Sequence, residues 1–209
     1  MVLLDLLAMP PRALQVPFNI GIDICRISRI KLLLQSPKTL ASASASPASS
    51  SLPRLHPFLA RIFSFREILW FNGRYESLLH KPTTDHDPAI VSSAVTYLAG
   101  RFAAKEAVIK AVHPRRLLLK DVLVATEGRQ PYAIVLDKSP TLTQVQRLYL
   151  NQHYGFSLSI STEIDLTDLE SHPDVNPGLE QCDGQVARLS ISHDGEYATA
   201  ACLALPQDE

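Results

Sequence analysis

Apolar and polar positions alternate in short stretches along the chain, and each stretch predicts one element of secondary structure. Residues 19–24 alternate with a period of two, which places three isoleucines on one face and Gly21 and Asp23 on the other. This alternation is typical of a half-buried strand. Residues 27–34 predict a short helix. Residues 56–70 carry apolar side chains at helical spacing, and a turn around Ser64 within this segment is an open alternative.

The rest of the chain predicts one long helix, a shorter helix and two hairpins. The strongest helical pattern covers residues 94–112. After it, the sequence predicts strands at 122–125 and 132–136, an amphipathic helix at 141–154, and strands at 187–192 and 196–205 that meet at Asp194-Gly195. The order of strand, helices, hairpin, helix and hairpin indicates the α+β class.

Three segments break these patterns and predict insertions. Residues 36–54 are dominated by Ser, Ala and Pro, which favours a disordered loop. Residues 80–88 are rich in Pro and Thr, and residues 161–185 are acidic and rich in turn formers. We therefore expect a single domain at 19–209 with surface insertions, preceded by an N-terminal extension at 1–18.

Composition excludes several classes of protein. The 209 residues include 20 Lys and Arg against 21 Asp and Glu, and 46% are hydrophobic. No apolar run approaches the roughly 18 to 20 residues of a spanning helix, so no membrane protein is expected. A net charge of −1 lacks the basic excess of a general nucleic-acid binder. The cysteines Cys25, Cys182 and Cys202 are too few for a disulfide scaffold and lack the spacing of a zinc site.

Charged residues on the long predicted helix are candidates for chemistry. At about 100° per residue, Glu106 and Lys110 follow the small residues Ala99 and Ala103 on one face. An ordinary solvated ion pair accounts for such a face, at a few tenths of a kcal/mol. The chain is otherwise neutral, but three cations surround the Glu106 carboxylate on this helix: Arg101, Lys105 and Lys110. This concentration of charge favours instead a site for a phosphate with a divalent metal.

The positions of two of these cations, and of a second carboxylate, are consistent with the hypothesis of a phosphate and metal site. Arg101 and Lys105 lie beside and partly within the apolar stripe of the helix, where a cation needs an anion. Asp23 lies in the middle of the first predicted strand, where a buried carboxylate needs a partner or a metal. The alternative for Asp23 is a capping or turn residue at a strand end.

The chain resembles the holo-acyl-carrier-protein synthase group of 4′-phosphopantetheinyl transferases in three motifs that occur in order. They are Gly21-Ile22-Asp23-Ile24 with Arg29, Leu98-Ala99-Gly100-Arg101-Phe102-Ala103-Ala104-Lys105-Glu106-Ala107 with Lys110, and Leu189-Ser190-Ile191-Ser192-His193-Asp194 with Glu196-Tyr197-Ala198. The ten-residue match is the most specific. Weaker echoes are Phe63-Ser64 with Glu67, and Gly128-Arg129 before Pro131. The three predicted insertions depart from the compact bacterial members and resemble fungal, free-standing forms.

This resemblance implies a phosphopantetheinyl transferase fold, an antiparallel sheet packed with helices, and a magnesium-dependent transfer from coenzyme A to a serine of an apo acyl carrier protein. Adenosine 3′,5′-bisphosphate is the other product. The implied metal ligands are Asp23 and Glu106, and the implied catalytic residues are Glu106 and Lys110. The implied contacts to coenzyme A come from Arg101, Lys105, Lys110, Ser192 and His193. The resemblance does not fix which group accepts the serine proton.

The resemblance also implies partners. Arg29 would face the acidic carrier protein, although a solvated helix face is its alternative. Without the resemblance to the family, His193 would be interpreted only as a residue that caps the hairpin. The small members of the family assemble as trimers with the coenzyme at subunit interfaces, so a homotrimer is expected. Fungal relatives serve a mitochondrial carrier, which favours a mitochondrial location over a cytoplasmic one.

Competing functions are weaker on the sequence. A coenzyme A or nucleotide-binding module with little turnover would explain the basic helix, but both Asp23 and Glu106 are present. Another magnesium-dependent phosphotransferase would normally carry a glycine-rich phosphate loop, and neither GxGxxG nor GxxxxGK[ST] occurs. The cluster Asp85-His86-Asp87 has no regular spacing that would fix metal ligands, so no role is assigned to it.

Overall fold

The computed structural model of the chain describes residues 17–35, 52–80, 86–160 and 182–206. In order, the elements are β1 (Asn19–Arg26), α1 (Ile27–Leu34), α2 (Leu55–Ile62), α3 (Phe65–His80), α4 (Pro88–Ala111), a 3-10 turn (Leu119–Asp121), β2 (Val122–Glu127), β3 (Gln130–Leu136), α5 (Gln144–Tyr154), β4 (Gly184–Asp194) and β5 (Tyr197–Ala204). The expected α+β class is confirmed. In this described part, no helix is both long enough and apolar enough to cross a membrane.

One antiparallel sheet of five strands organises the fold, in the order β1-β5-β4-β3-β2. The first strand of the chain therefore pairs with the last, and the hairpin β2–β3 lies at the other side of the sheet. Helix α4 crosses one face of this sheet and packs against β1, β5, β4 and β2. The helix is the centre of the core, and its C-terminal half brings residues to both edges of the sheet, Arg101 and Lys105 to β2 and Lys110 to β1.

Small residues let α4 approach the sheet closely. The inward positions of β5 are Ala198, Ala200, Cys202 and Ala204, and the alanines of α4 that face the interior are fully buried. The closest approach is at Gly21 of β1, where a Cβ atom would lie 1.9 Å from the backbone oxygen of Ala107. Glycine is required there because backbone meets backbone. Ala99 and Ala103, the small residues on the face of Glu106 and Lys110, are therefore buried in the core.

The alternation in β1 is present, but the isoleucines face outward. Ile20, Ile22 and Ile24 are between 61% and 63% exposed, whereas Gly21 and Cys25 are buried against α4. On the neighbouring strands, Leu203 and Val186 extend this exposed apolar surface. A row of exposed apolar side chains on a sheet is a feature that interaction surfaces commonly have.

The predicted helix at 56–70 is interrupted near Ser64, which confirms the alternative of a turn at this residue. Helix α2 ends at Ile62 and α3 begins at Phe65. The carboxylate of Glu67 accepts hydrogen bonds from the backbone nitrogen and the hydroxyl of Ser64, at 3.0 and 3.1 Å. This Ser-x-x-Glu spacing is that of a capping box, which favours a new helix start over continuation.

The predicted insertions fall mostly outside the described residues. In the predicted insertion at 36–54, the structure describes only residues 52–54. In the one at 80–88, it describes the backbone at 80 and residues 86–88. Residue 87 caps α4, because the carboxylate of Asp87 accepts from the backbone nitrogen of Ala89, with Pro88 in the first turn. This cap explains why α4 begins six residues before the predicted start. Residues 1–16 and 161–181 lie outside the description as well.

Candidate functional site

The centre of the site is an ion pair between β1 and the end of α4. The ammonium of Lys110 lies 2.7 Å from the carboxylate of Asp23 and donates to the backbone oxygen of Ile22 at 3.0 Å. The Lys110 side chain is 50% exposed and that of Asp23 is 16% exposed. The tight contact at Gly21, two residues earlier, holds the strand against the helix at this point. Asp23 and Lys110, predicted as site residues from separate motifs, therefore meet.

Glu106 lies one helical turn before Lys110, on the same side of α4. Residues four apart on a helix are neighbours, about 6 Å apart along the axis. In the described part of the chain, no donor lies within hydrogen-bond distance of the Glu106 carboxylate, and its side chain lines an open cleft. A carboxylate of this kind can take up a cation without first breaking a contact inside the chain.

The cleft beside Glu106 is strongly basic. It has a volume of about 620 Å³ and lies between α1, α2 and α4. Three arginines line it, Arg29, Arg54 and Arg61, together with the ring of Phe102, over which the Arg29 guanidinium lies 5.6 Å from the centroid. The cleft suits an anionic partner that has an apolar part, because its floor is made of Phe58, Phe102 and Leu33.

The structure does not support the predicted contact between Lys105 and a phosphate. The Lys105 side chain is fully buried, and its ammonium lies 2.7 Å from Glu67. It also donates to the backbone oxygens of Leu119 and Val122, so all three of its hydrogens are used. Burial lowers the pKa of Lys105, and the Glu67 carboxylate counteracts that lowering. The anion that the sequence required for Lys105 is thus a side chain of the same protein.

Arg101 points to the far edge of the sheet. Its guanidinium donates to the backbone oxygen of Val124 at 2.9 Å and to the hydroxyl of Thr126 at 3.2 Å, and it lies over the ring of Tyr97. Since β2 and β1 are at opposite edges of five strands, this lies roughly 19 Å across the sheet from Asp23. One chain therefore does not bring Arg101 and Asp23 together.

Ser192 and His193 are exposed neighbours on β4, so their side chains project from opposite faces. His193 pairs across the strands with Ala198 and then Cys25, which puts it on the face of α4 and about 10 Å from β1. Ser192 belongs to the face of the exposed isoleucines. Of these two predicted residues, only His193 shares a face with Asp23.

Two residues of the basic cleft, Arg54 and Arg61, were not predicted from the sequence. Glu67, which was named there only as part of a weak echo of the family, holds Lys105. Glu67 also had a local signal in its capping-box spacing to Ser64. Arg61 lies three residues before Ser64, just ahead of that echo. Arg54 fell at the end of the predicted loop 36–54 and had no signal.

The donor set near Asp23 fits one type of metal site. In the described ranges, no group of three or more His, Cys, Asp or Glu side chains is placed to hold a metal. Asp23 and Glu106 alone supply two carboxylates. A small hard cation such as Mg²⁺ is commonly held by one or two carboxylates, with waters and substrate phosphates completing its shell. The residues therefore fit a metal that arrives with a phosphate.

Comparison with known proteins gives the family. A model described as the 4′-phosphopantetheinyl transferase superfamily matches residues 19–160. The chain is 32% identical over 115 residues to the holo-[acyl-carrier-protein] synthase of Myxococcus xanthus, a match that covers 54% of this chain and 65% of that protein. It is 29% identical over 198 residues to 4′-phosphopantetheinyl transferase B, mitochondrial, of Aspergillus fumigatus, covering 90% and 94%. The family expected from the motifs is confirmed.

The chain also aligns with solved structures at low sequence identity. The holo-ACP synthase of Plasmodium yoelii aligns with a TM-score of 0.47 and 17% identity, covering 91% of this chain and 95% of that one. The family match, rather than this likeness, carries the assignment.

Proposed function

Since the chain belongs to the 4′-phosphopantetheinyl transferase superfamily, we propose that it moves the 4′-phosphopantetheine arm of coenzyme A onto a serine of an apo acyl carrier protein. The serine oxygen forms a bond to the phosphorus that carries pantetheine, and the bond from that phosphorus to the bridging oxygen breaks. The serine proton is lost to a base, and adenosine 3′,5′-bisphosphate leaves with the electron pair. The contact of Lys110 with Asp23, beside an open Glu106, is the observation that carries the proposal.

Each residue of this cluster has a role in charge stabilisation. Asp23 and Glu106 would hold Mg²⁺, which when bound neutralises phosphate charge. Lys110 is half-exposed, so its ammonium can turn from Asp23 toward a phosphate oxygen and stabilise negative charge on it. Glu106 is also a candidate acceptor for the serine proton, because no donor among the described residues engages it.

The basic cleft is the proposed dock for the carrier protein. Arg29, predicted for this role, shares the cleft with Arg54 and Arg61 and with Glu106. An acidic partner is steered by such a local patch even though the whole chain has a charge of −1. Because Glu106 lines the same cleft, a serine carried into it would approach the site of transfer.

A homotrimer is proposed on the exposed face of the sheet. The apolar row of Ile20, Ile22 and Ile24 supports assembly over this face. Arg101 and His193 are distant from Asp23 within one chain, and a neighbouring copy offers a route by which they contribute to the site. Sedimentation at several protein concentrations tests this: a single monomeric species at micromolar concentration would contradict it.

The transfer is tested by weighing the carrier. Purified protein, apo acyl carrier protein, coenzyme A and Mg²⁺ are incubated, and the carrier is measured by intact mass spectrometry. We expect the mass of the prosthetic arm to be added, and addition of a metal chelator to stop it. No mass gain with any fatty-acid-type carrier, together with normal coenzyme A binding by calorimetry, would favour the binding module with little turnover.

The role of Glu106 is tested by Glu106→Gln, which keeps the shape and removes the charge. Turnover should fall by about a hundredfold, as expected when a group that stabilises transition-state charge is lost. The matched control is Glu76→Gln, an exposed glutamate of α3, which should leave turnover unchanged. Equal turnover of wild type and Glu106→Gln would remove Glu106 from the proposed metal site.

A mitochondrial location is proposed from the relative in Aspergillus fumigatus, which is named mitochondrial. The full chain with a fluorescent protein at its C-terminus, imaged with a mitochondrial marker in a fungal cell, tests it. Diffuse cytoplasmic signal would contradict the proposal.

A further inference from the structure

A second, smaller cavity lies on the other side of the molecule, at the β2 edge of the sheet. It has a volume of about 140 Å³, is open to solvent on one side, and is lined by the start of α3, the 3-10 turn, the segment before α5, and the strands β2 and β3. Its apolar walls include Phe65, Leu123 and Leu136. It lies across the sheet from Asp23 and Lys110, so the proposed transfer does not use it.

Among the residues that the structure describes, the charged side chains at this cavity are of one sign. Arg66 and Lys120 line it, and no acidic side chain of the described ranges does. Lys120 is half-buried, and within the described ranges no acceptor lies within hydrogen-bond distance of its ammonium. Burial, and then the nearby Arg147 guanidinium, lower the pKa of Lys120. A cation that is partly withdrawn from water and lies near further cations is stabilised by an anion from outside.

Two neighbouring carboxylates, those of Glu67 and Asp121, do not meet this need. Glu67 is buried, and it already accepts from Ser64, Lys105 and the backbone nitrogen of Val124. Asp121 is buried; its Oδ2 accepts from the backbone nitrogen of Leu118, and its Oδ1, which has no partner among the described residues, makes no ion pair with Lys120. Neither side chain lines the cavity.

Two helices also direct their N-termini to the cavity. Residues at the start of α3 and just before α5 form part of its wall. The first turns are capped, by Glu67 in α3 and by Thr143 in α5. The helix ends therefore add a positive field rather than free donors.

From this combination we propose that the cavity binds a small organic carboxylate whose apolar part has about six carbons. The cavity has room for a group of this size, because a volume of about 150 Å³ holds a benzene ring. The carboxylate would contact Lys120, with Arg66 beside it, and the apolar part would pack on Leu123 and Leu136. Benzoate and hexanoate are suitable probes.

Binding is tested with the full chain by calorimetric titration of benzoate, with benzamide as the neutral control. We expect saturable benzoate binding in the millimolar range or tighter, as suits so small a ligand, and at least about tenfold weaker binding of benzamide. Lys120→Gln should weaken benzoate binding by about tenfold, and Lys120→Arg should keep it. The matched control is Lys138→Gln, at an exposed lysine just after β3.

Cys182 gives an independent reporter, because it lines the same cavity and its sulfur lies 3.2 Å from the Arg66 guanidinium. The other two cysteines are buried. Benzoate should slow the reaction of Cys182 with a thiol reagent, benzamide should not, and Cys182→Ser should abolish the protected reaction. The proposal is overturned if benzoate does not saturate, or if Lys120→Gln binds it as tightly as wild type. Transfer to the carrier protein is not needed for either readout.

Discussion

Two lysines on one helix form ion pairs of the same length in opposite surroundings. Lys105 and Glu67 are 2.7 Å apart with side chains 0% and 4% exposed, whereas Lys110 and Asp23 are 2.7 Å apart with side chains 50% and 16% exposed. Both lysines belong to α4, and the pairs lie at opposite edges of the sheet. The distance between the charged atoms therefore does not distinguish the roles of the two ion pairs, whereas the solvent exposure of their side chains does.

The difference lies in how each charge is satisfied. Buried Lys105 uses all its hydrogens on Glu67 and two backbone oxygens, as a charge taken from water must. Lys110 remains in water, where its ammonium can exchange partners. The first pair fixes α3, α4 and β2 together, and the second leaves a cation available to a substrate.

The largest expected effect comes from breaking the buried pair. Lys105→Met leaves the Glu67 carboxylate buried without its cation, so the free energy of unfolding should fall by about 3–5 kcal/mol. Lys110→Met should lower it by less than about 1 kcal/mol, because that pair is exposed. Urea denaturation followed by circular dichroism, at one protein concentration, measures both. Equal losses for the two variants would contradict the comparison.

Lys110→Met, which should have the smaller effect on stability, should have a large effect on turnover. If Lys110 stabilises phosphate charge, Lys110→Met should lower turnover by about a hundredfold while the protein stays folded. Lys110→Arg, which keeps the charge, should recover part of that loss. Initial rates of carrier modification measure this. A Lys110→Met variant with wild-type turnover would show that the exposed pair is only a surface contact.

A third substitution tests the contact that holds the exposed pair in place. Gly21→Ala puts a methyl group into the backbone of α4, so the free energy of unfolding should fall by about 1–3 kcal/mol. Gly73→Ala is the matched control, because a Cβ atom there meets nothing within 4 Å and alanine favours a helix. Urea denaturation should therefore show opposite signs for the two variants. A Gly21→Ala protein as stable as wild type would contradict the close contact.

The smallest effect shows what burial does to a group without a partner. Burial raises the pKa of the Cys202 thiol to about 11 from its usual 9.0. The unfolded chain loses this proton near pH 9 and the folded chain keeps it, so stability is complete below pH 9 and is lost as the pH rises toward 11. At pH 10 this loss is about 1 kcal/mol. Cys202→Ala should reduce the fall in unfolding free energy between pH 8 and pH 10, relative to wild type.

The sequence predicted the elements of the fold well, because hydrophobic period and turn residues are local signals. Helix α1 was predicted with the observed bounds, and the two hairpins were found. The orientation of β1 was not predicted. Isoleucines normally face a core, but here the small inward residues let α4 approach, and the isoleucines are left outside.

The site was predictable where a residue's partner lies in a recognisable motif. Asp23 and Lys110 come from two motifs and meet in the structure. Lys105 and Glu106 are adjacent in sequence and were both given to the site, yet a rotation of about 100° sends one inside and leaves the other at the cleft. Which lysine becomes internal depends on Glu67, a residue of another helix, and periodicity does not contain that information.

The contact of α4 with β1 and β5 also has an entropic consequence. Gly and Ala side chains have no rotamers to lose on folding, so at these positions the interface is ordered at no side-chain entropy cost. Only the cysteines and the larger side chains beside them can repack by changing a torsion angle. At Gly21, two residues before Asp23, backbone lies directly against backbone, so the spacing of strand and helix at the ion pair depends little on the thermal sampling of side chains.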